Sequence, residues 1–476
     1  MIWAMDNVVS PDTHCAFRGV FYLKQRGMIE LRICAASWYV LWLDGQYLCE
    51  GPARFVPDYP EYDVRQLTLD AGPHLLAVQV HHQGLATRML PDIAPFLHCR
   101  IMDGNAELPI RWRCHPLAGY RPQVHRINPQ FGWVEWCDTR SNPADWQRAD
   151  FVDTAWDAPV KVEVALGPLR PASIGAVRQF DHALTSMATG VWAEDFGYET
   201  DDPSARFFFR DLVCDTLPAT GTWRRYDLGR VRLGRPRLLL DLPAGTLLEI
   251  GYAEALRHNR VAPYITLSAG PSCNLDHLIA RGGVQEFFPL HPKGGRFLEV
   301  HISAPPDEAH FLQEVYQERG YHGEPEGAFT CSDDLLNRIW ATGIDTYRAC
   351  AEDAIIDNPT RERGQWVGDA IIGGETTSVA YADLRLMRRC LVQTAQCARE
   401  DGLVPGMTTG GLIFVSSYAL QWVEACLRYV ELTGDDTLLD ELYAPALRNL
   451  QAFAPSPSPC SVTNGANACR LRRAGA

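Results

Sequence analysis

Along the first hundred residues the apolar positions come in short runs broken by turn residues: MIELRIC at 28–34, WYVLWLDGQYLCEG at 38–51 and HLLAVQVHH at 74–82. Runs of this length predict the strands of an antiparallel β-sandwich, assigned to residues 1–115. Asp44-Gly45 divides WYVLWL from QYLCEG, and a type I′ hairpin is expected there because this dipeptide tolerates the positive φ angles the turn needs. Residues 116–184 read as a connector. Its stretch WVEWCDTRSNPADWQRADFVDTAWDAPV holds four tryptophans, whose expected role is to close a sandwich edge, with stacking on a sugar ring as the lesser reading. Alternation returns in RRYDLG, RPRLLLDLP, TLLEIGYAEAL, VQEFFPL and GGRFLEVHI, which predicts a second, jelly-roll sandwich over 185–304.

After Pro305-Pro306 and GEPEG the apolar period lengthens from two to about 3.6, so 305–330 reads as a linker and 331–453 as helical. A first helix is expected with Ser332 as its cap and Leu336, Trp340, Ile344, Tyr347 and Ala351 as its stripe. A second begins near Trp366, and a third runs from Asp383 to Gly402 on Leu384, Met387, Leu391, Ala395 and Ala398. The fourth follows Ser416-Ser417 with Leu420, Val423, Leu427 and Val430 inward, ending at Gly434. A fifth, kinked at Pro445, spans Thr437 to Phe453 and is expected to leave Leu438, Leu439, Leu442, Leu450 and Phe453 in water. Helices paired by short loops suggest an α/α toroid. About 120 residues are too few for twelve helices of about 11 residues each, so the toroid is expected to be incomplete. The last stretch, 454–476, loses its apolar period and is expected to be a disordered, aberrant tail left by a frameshift, an early stop or a faulty gene model.

A chain of 476 residues has room for about three cores. Its 46% hydrophobic and 21% charged residues are those of a globular protein, and no apolar run is long enough to span a bilayer. The net charge of −14, with scattered basic residues, argues against a nucleic-acid partner. Fifteen cysteines without CxxC pairs or zinc-type histidine spacing read as free, mostly buried thiols. With an N-terminus unlike a signal peptide, they point to the cytoplasm. No cofactor or metal is expected, and composition does not determine the oligomeric state.

The densest chemistry lies in DNPTRERGQWVGD, 357–369, where Asp357, Glu362 and Asp369 accompany Arg361, Arg363 and Trp366. On one continuous helix Glu362 would lie about 140° and Asp369 about 120° from Asp357, so the acids converge more easily from a loop. Asn358-Pro359 and Gly364 supply the breaks. Clustered carboxylates can be driven to different protonation states, as acid-assisted hydrolysis requires, although a solvated salt-bridge cluster is the commoner meaning of such a segment. Glu254, at a strand end with no second acid nearby, reads as structural.

The pattern DxxxRExxxWxGD between helices resembles the catalytic segment of bacterial alpha-L-rhamnosidases of glycoside hydrolase family 78. LDGQYLCEGPARF with DAGPHLLAVQV is similar to the sugar-binding-like sandwich of that family. GYAEAL and IARGGVQEFFPLHPKGGRFLEV resemble the β-domain that precedes its barrel. The resemblance implies a multidomain fold, all-β sandwiches followed by a six-hairpin toroid, and inverting hydrolysis of terminal alpha-L-rhamnose from glycosides or polysaccharides. It places Glu362 on the general acid and Asp357 and Asp369 on acids that bind rhamnose hydroxyls. Arg361 and Trp366 fall on residues shaping the pocket. The family's general base comes from the second half of the barrel and is expected to be absent here. The alternative is therefore an inactive remnant or a carbohydrate-binding protein.

Overall fold

The computed structural model describes residues 1–4, 10–175, 177–194, 201–215, 218–264, 272–321 and 323–453. The region read as a tail, 454–476, lies outside the described residues. Two β-sandwiches come first and a helical body last.

In the first sandwich the strand Thr13–Leu23 pairs antiparallel along its length with Gly72–His82, which also pairs with Trp38–Leu43. The facing sheet is centred on Gly27–Ala36, between Glu61–Leu69 and Phe96–Asp103. Period-two alternation turns Phe17, Leu31, Ile33, Leu41, Val78 and Ile101 into one core between the sheets. Asp44 and Gly45 have φ of 50° and 82°, the conformation expected of the hairpin they close.

The segment read as a connector is divided between its neighbours. Val160–Lys161 and Arg170–Pro171 add edge pairings to the first sandwich, while Trp136–Asp138 and Arg178–Ala183 pair within the second. Trp146 and Trp156 are buried against Ala16 and Ala77, so these rings close a sandwich edge. Arg18 clips the segment down, reaching the carbonyl oxygens of Arg148 and Phe151 at 2.9 and 3.2 Å and the Asp153 carboxylate at 2.9 Å.

The second sandwich is built on one long strand, Gly221–Leu242. Its first half pairs with Ser186–Trp192 and Lys293–Ile302, its second with Gly283–Phe287 and His310–Gly320, so it passes from one layer to the other. Tyr226, Leu238, Leu240, Ile250, Val300 and Tyr316 meet in the shared core. The strand His310–Gly320 lies inside the stretch read as a linker, so the sandwich reaches to the threshold of the helices.

Besides the short helix α1 (Pro203–Phe209), the helices are α2 (Asp334–Cys350), α3 (Val367–Ala380), α4 (Arg385–Gln396), α5 (Ser416–Thr433) and α6 (Thr437–Gln451). Asp333, not Ser332, caps α2, its carboxylate accepting from the Leu335 amide at 2.8 Å. The α4 stripe is as expected, with Met387 and Leu391 buried. On α5 the phase differs. Ala419, Trp422, Ala425, Cys426 and Tyr429 face the core, while Leu420 and Leu427 are exposed. Gly434 ends α5 in the left-handed conformation. Leu438 and Leu442 of α6, expected in water, are buried, whereas Leu450 and Phe453 are exposed.

Candidate active site

Between α2 and α3 the chain leaves helical geometry and the motif folds as a loop. Its first hold is Asp357. The Asp357 amide donates to the Gly364 carbonyl at 3.0 Å, and the Gly364 amide returns a hydrogen bond to Asp357 Oδ1 at 2.9 Å. Asn358 organises the turn, its Oδ1 accepting from the Arg361 amide at 2.7 Å and its Nδ2 donating to Asp357 Oδ2 at 2.6 Å. The left-handed residue of this turn is Arg363, with φ of 51°. Gly364 serves by lacking a side chain: a Cβ there would stand 2.8 Å from Trp366 Nε1. Trp366 then caps α3, pairs through Gln365–Trp366 with Met407–Thr408, and meets the Tyr418 ring edge-on at 6.0 Å.

This geometry sets the three acids within each other's field. Burial pushes the Asp357 carboxyl up to about 6; the neighbouring amides oppose the shift, and the charges of Glu362 and Asp369 add to it. Asp369, in the first turn of α3, is also raised, by burial first and by Glu362 in addition. The charge of Glu362 thus acts on both aspartates beside it. Arg361 is exposed, with its Nε 3.7 Å from Glu362 Oε1. Arg363 turns instead to Glu352.

Arg363 is buried and spans Glu352, with Nη2 at 2.6 Å and Nε at 3.1 Å from its two oxygens. Glu352 also receives Arg54 at 2.8 Å and Arg319 at 3.3 Å, and Arg54 makes a second pair with Asp353 at 2.9 Å. Arg319 continues to Glu50 at 2.8 Å, and Arg235 pairs with the same carboxylate. Burial alone would raise the Glu352 and Asp353 carboxyls; the guanidinium groups outweigh it and hold both below the usual range. Arg54 comes from the first sandwich and Arg319 from the second, so the loop rests on an ion network shared by all three bodies. Sequence reading missed this network because Arg54 and Asp353 are 299 positions apart.

The second sandwich touches the loop directly as well. Glu254 accepts a hydrogen bond from the Thr360 hydroxyl, and Gly294 is so close to Pro359 that a Cβ would stand 2.4 Å from its carbonyl oxygen. Glu254, read as structural, therefore lies at the edge of the motif. From the connector, Asn128 Nδ2 donates to the Arg361 carbonyl at 3.0 Å.

Asp12, His14 and His81 form a second, buried cluster whose donor atoms lie within 4.8 Å of one another. His14 and His81 are stacked, with centroids 3.9 Å apart and planes 9° apart, so their in-plane lone pairs run side by side and do not converge on one ion. His81 instead bridges Asp12 at 2.9 Å and His291 at 2.6 Å.

Residues 324–455 match the family model of the bacterial alpha-L-rhamnosidase 6 hairpin glycosidase domain. Among solved structures, the family 78 rhamnosidase of Bacillus sp. GL1 superposes with a TM-score of 0.80 at 18% identity, covering 95% of this chain and 69% of that one. The alpha-L-rhamnosidase of Dictyoglumus thermophilum gives 0.68 at 16% identity, over 95% of this chain and 50% of that one. The Streptomyces avermitilis alpha-L-rhamnosidase, complexed with L-rhamnose, gives 0.62 at 19% identity, over 88% and 42%. The chain thus spans half or less of the last two. No curated protein matches it in sequence. Two sandwiches followed by paired helices give the chain the fold of the family 78 rhamnosidases, and its match to the bacterial alpha-L-rhamnosidase 6 hairpin glycosidase domain falls on the helices.

Proposed function

We propose that the protein is an alpha-L-rhamnosidase-like glycoside hydrolase that releases terminal alpha-L-rhamnose from glycosides or polysaccharides by an inverting mechanism. The observation that carries this reading is the loop 357–369, which fixes the Asp357 carboxylate between Asn358 and the Gly364 amide, sets Glu362 beside Arg361 and leads Asp369 into the first turn of α3. In such a reaction water attacks the anomeric carbon as the bond to the leaving oxygen breaks. One carboxylic acid protonates that oxygen, and a carboxylate across the ring takes a proton from the water. Glu362 is our candidate for the acid, half-buried in the same loop as Asp357 and beside Arg361. Asp357 and Asp369 are candidates for accepting hydrogen bonds from rhamnose hydroxyls, with Arg361 and Trp366 shaping the pocket. We assign the base to no residue of this chain.

A cytoplasmic location is supported by the described cysteines, all of which are free thiols. No helix among the described residues is long and apolar enough to cross a membrane.

The test is release from nitrophenyl alpha-L-rhamnoside, with the anomeric configuration of the first product followed by NMR. Glu362→Gln is expected to lower the rate about 100-fold or more on a poor leaving group, the usual effect of removing a general acid. Retention of more than about a tenth of the parent rate would remove Glu362 from that role. Rhamnose binding with no turnover by the parent chain would favour the carbohydrate-binding alternative.

A further inference from the structure

Away from the loop, a cleft of about 420 Å³ lies where the two sandwiches and the segment between them meet, within the roughly 300–1,000 Å³ common for small-molecule sites. Trp42 and Gln79 come from the first sandwich, Glu135 and Asn142 from the segment 116–184, and Gln285 and Phe288 from the second sandwich. None of its described lining residues belongs to 357–369.

Glu135 is the buried acid of this cleft, 5% exposed. Its Oε2 accepts from the Leu290 amide at 2.6 Å, while Oε1 is buried with no hydrogen-bond partner among the described residues. Burial first and the charge of Asp276 next push the carboxyl up to about 8, against the pull of Lys293. The group is therefore mostly protonated at neutral pH, and with Oε2 already accepting, the proton belongs on Oε1. A buried donor left without an acceptor is costly, and a ligand hydroxyl would relieve it. Two amides stand ready beside it. Gln285 and Asn142 are each held by a backbone amide at 2.8 Å, those of Arg281 and Gly119. Each side-chain NH2 donates to one neighbour, Thr139 Oγ1 at 3.2 Å and Cys137 Sγ at 3.3 Å, and keeps its second hydrogen for a ligand.

The charged groups of the wall are already matched. Arg281 lies 3.7 Å from Asp145, Arg148 3.1 Å from Asp150 and Glu286 2.9 Å from Arg237. A charged ligand would find no opposite charge in want of a partner. The rest of the wall is apolar: Leu239, Leu278, Phe287 and Phe288 line it, and the half-buried Trp42 is braced edge-on by Trp146 at 5.8 Å between centroids. A ligand that suits both parts is neutral, carries hydroxyls round its edge and lays a C–H face on the indole, which is the build of a pyranose. A wholly apolar ligand would strand Glu135 and the amides, and an open-chain polyol would have no face for the ring.

We propose that this junction is a second, non-catalytic binding site for a neutral pyranose, seated on Trp42 with its hydroxyls on Glu135, Asn142 and Gln285. The inference does not depend on the hydrolytic reading of the loop. Ligand-observed NMR on the full chain with methyl alpha-L-rhamnoside, methyl beta-D-glucoside and methyl beta-D-galactoside tests it, with methyl beta-D-glucuronide as the charged control and nitrophenol as the aromatic one. At least one neutral glycoside is expected to bind with a Kd of about 1 mM or tighter, and to keep that affinity within about threefold in Asp357→Asn, which alters only the loop. Trp42→Leu is expected to weaken it about tenfold or more, and Trp42→Phe, which restores a ring, by less than about threefold. If Trp42→Leu does not fold, Asn142→Ala decides, with an expected loss of about fivefold or more. No binding by any neutral glycoside, binding removed by Asp357→Asn, affinity untouched by the Trp42 or Asn142 variants, or equal binding of the glucuronide or nitrophenol would each overturn the proposal and leave the rhamnosidase reading intact.

Discussion

Asp357 carries the clearest consequence of a single residue's surroundings. Burial raises its carboxyl to about 6, so it ionises within an ordinary working range. If it accepts from rhamnose hydroxyls, its charged form binds better, because hydrogen bonds to a carboxylate are roughly twice as strong as neutral ones. Rhamnose affinity is expected to fall by up to about tenfold as pH drops through 6, and Asp357→Asn to abolish that inflection. Calorimetry between pH 5 and 7.5 that shows a flat profile in the parent would take Asp357 out of the pocket. The sign for stability is opposite. A raised folded pKa confers stability below the usual aspartate value, and that stability is lost as pH rises through about 6. The residues of the site were legible because they are consecutive: helix breakers and acids within thirteen positions specify a loop. Arg363 shows where that reading stops, since the sequence does not say which way a guanidinium turns. It went to Glu352, eleven positions earlier.

At the scale of elements, periodicity located the sheets and helices but not always their faces. On α5 the apolar period selects Leu420, Val423, Leu427 and Val430, yet the core accepts Ala419, Trp422 and Cys426 and leaves Leu420 and Leu427 exposed. Packing against α3 and α4 decides the phase, and small residues permit close approach where leucines would not fit. Strand His310–Gly320 carries no strand signal in its sequence, because HFLQEVYQERG is polar for a strand; its charges are absorbed by partners, as where Glu318 meets Arg230 at 2.8 Å. The junction of loop and α3 gives a test of close packing. Gly364→Ala would force the Trp366 indole aside, against Tyr418 and Met407. A loss of about 1–3 kcal/mol in urea unfolding is expected, with a changed near-ultraviolet circular dichroism spectrum from the displaced tryptophan. An unaltered spectrum and midpoint would show that the loop has more room than the structure gives it.

For the whole molecule the buried ions matter most. Arg54 serves Glu352 and Asp353 together, and its removal leaves two buried carboxylates short of a partner. Arg54→Met is expected to destabilise the protein by about 3–5 kcal/mol in denaturant titrations. A loss under about 1 kcal/mol would mean that water reaches the cluster. Because both carboxyls are held below their unfolded values, the stability they confer is present at neutral pH and is lost as pH falls below about 4. Acid should therefore loosen the helical body from the sandwiches. The same network has a consequence in time. Domains fold largely in the order in which they are made, and contacts between distant positions form late. When Glu352 and Asp353 leave the ribosome, Arg54 has already been made 299 positions before Asp353, and Arg319 33 positions before Glu352. The loop is then cast against a mould finished before it, and a nascent chain with a misfolded first sandwich would fail to shape the loop at all.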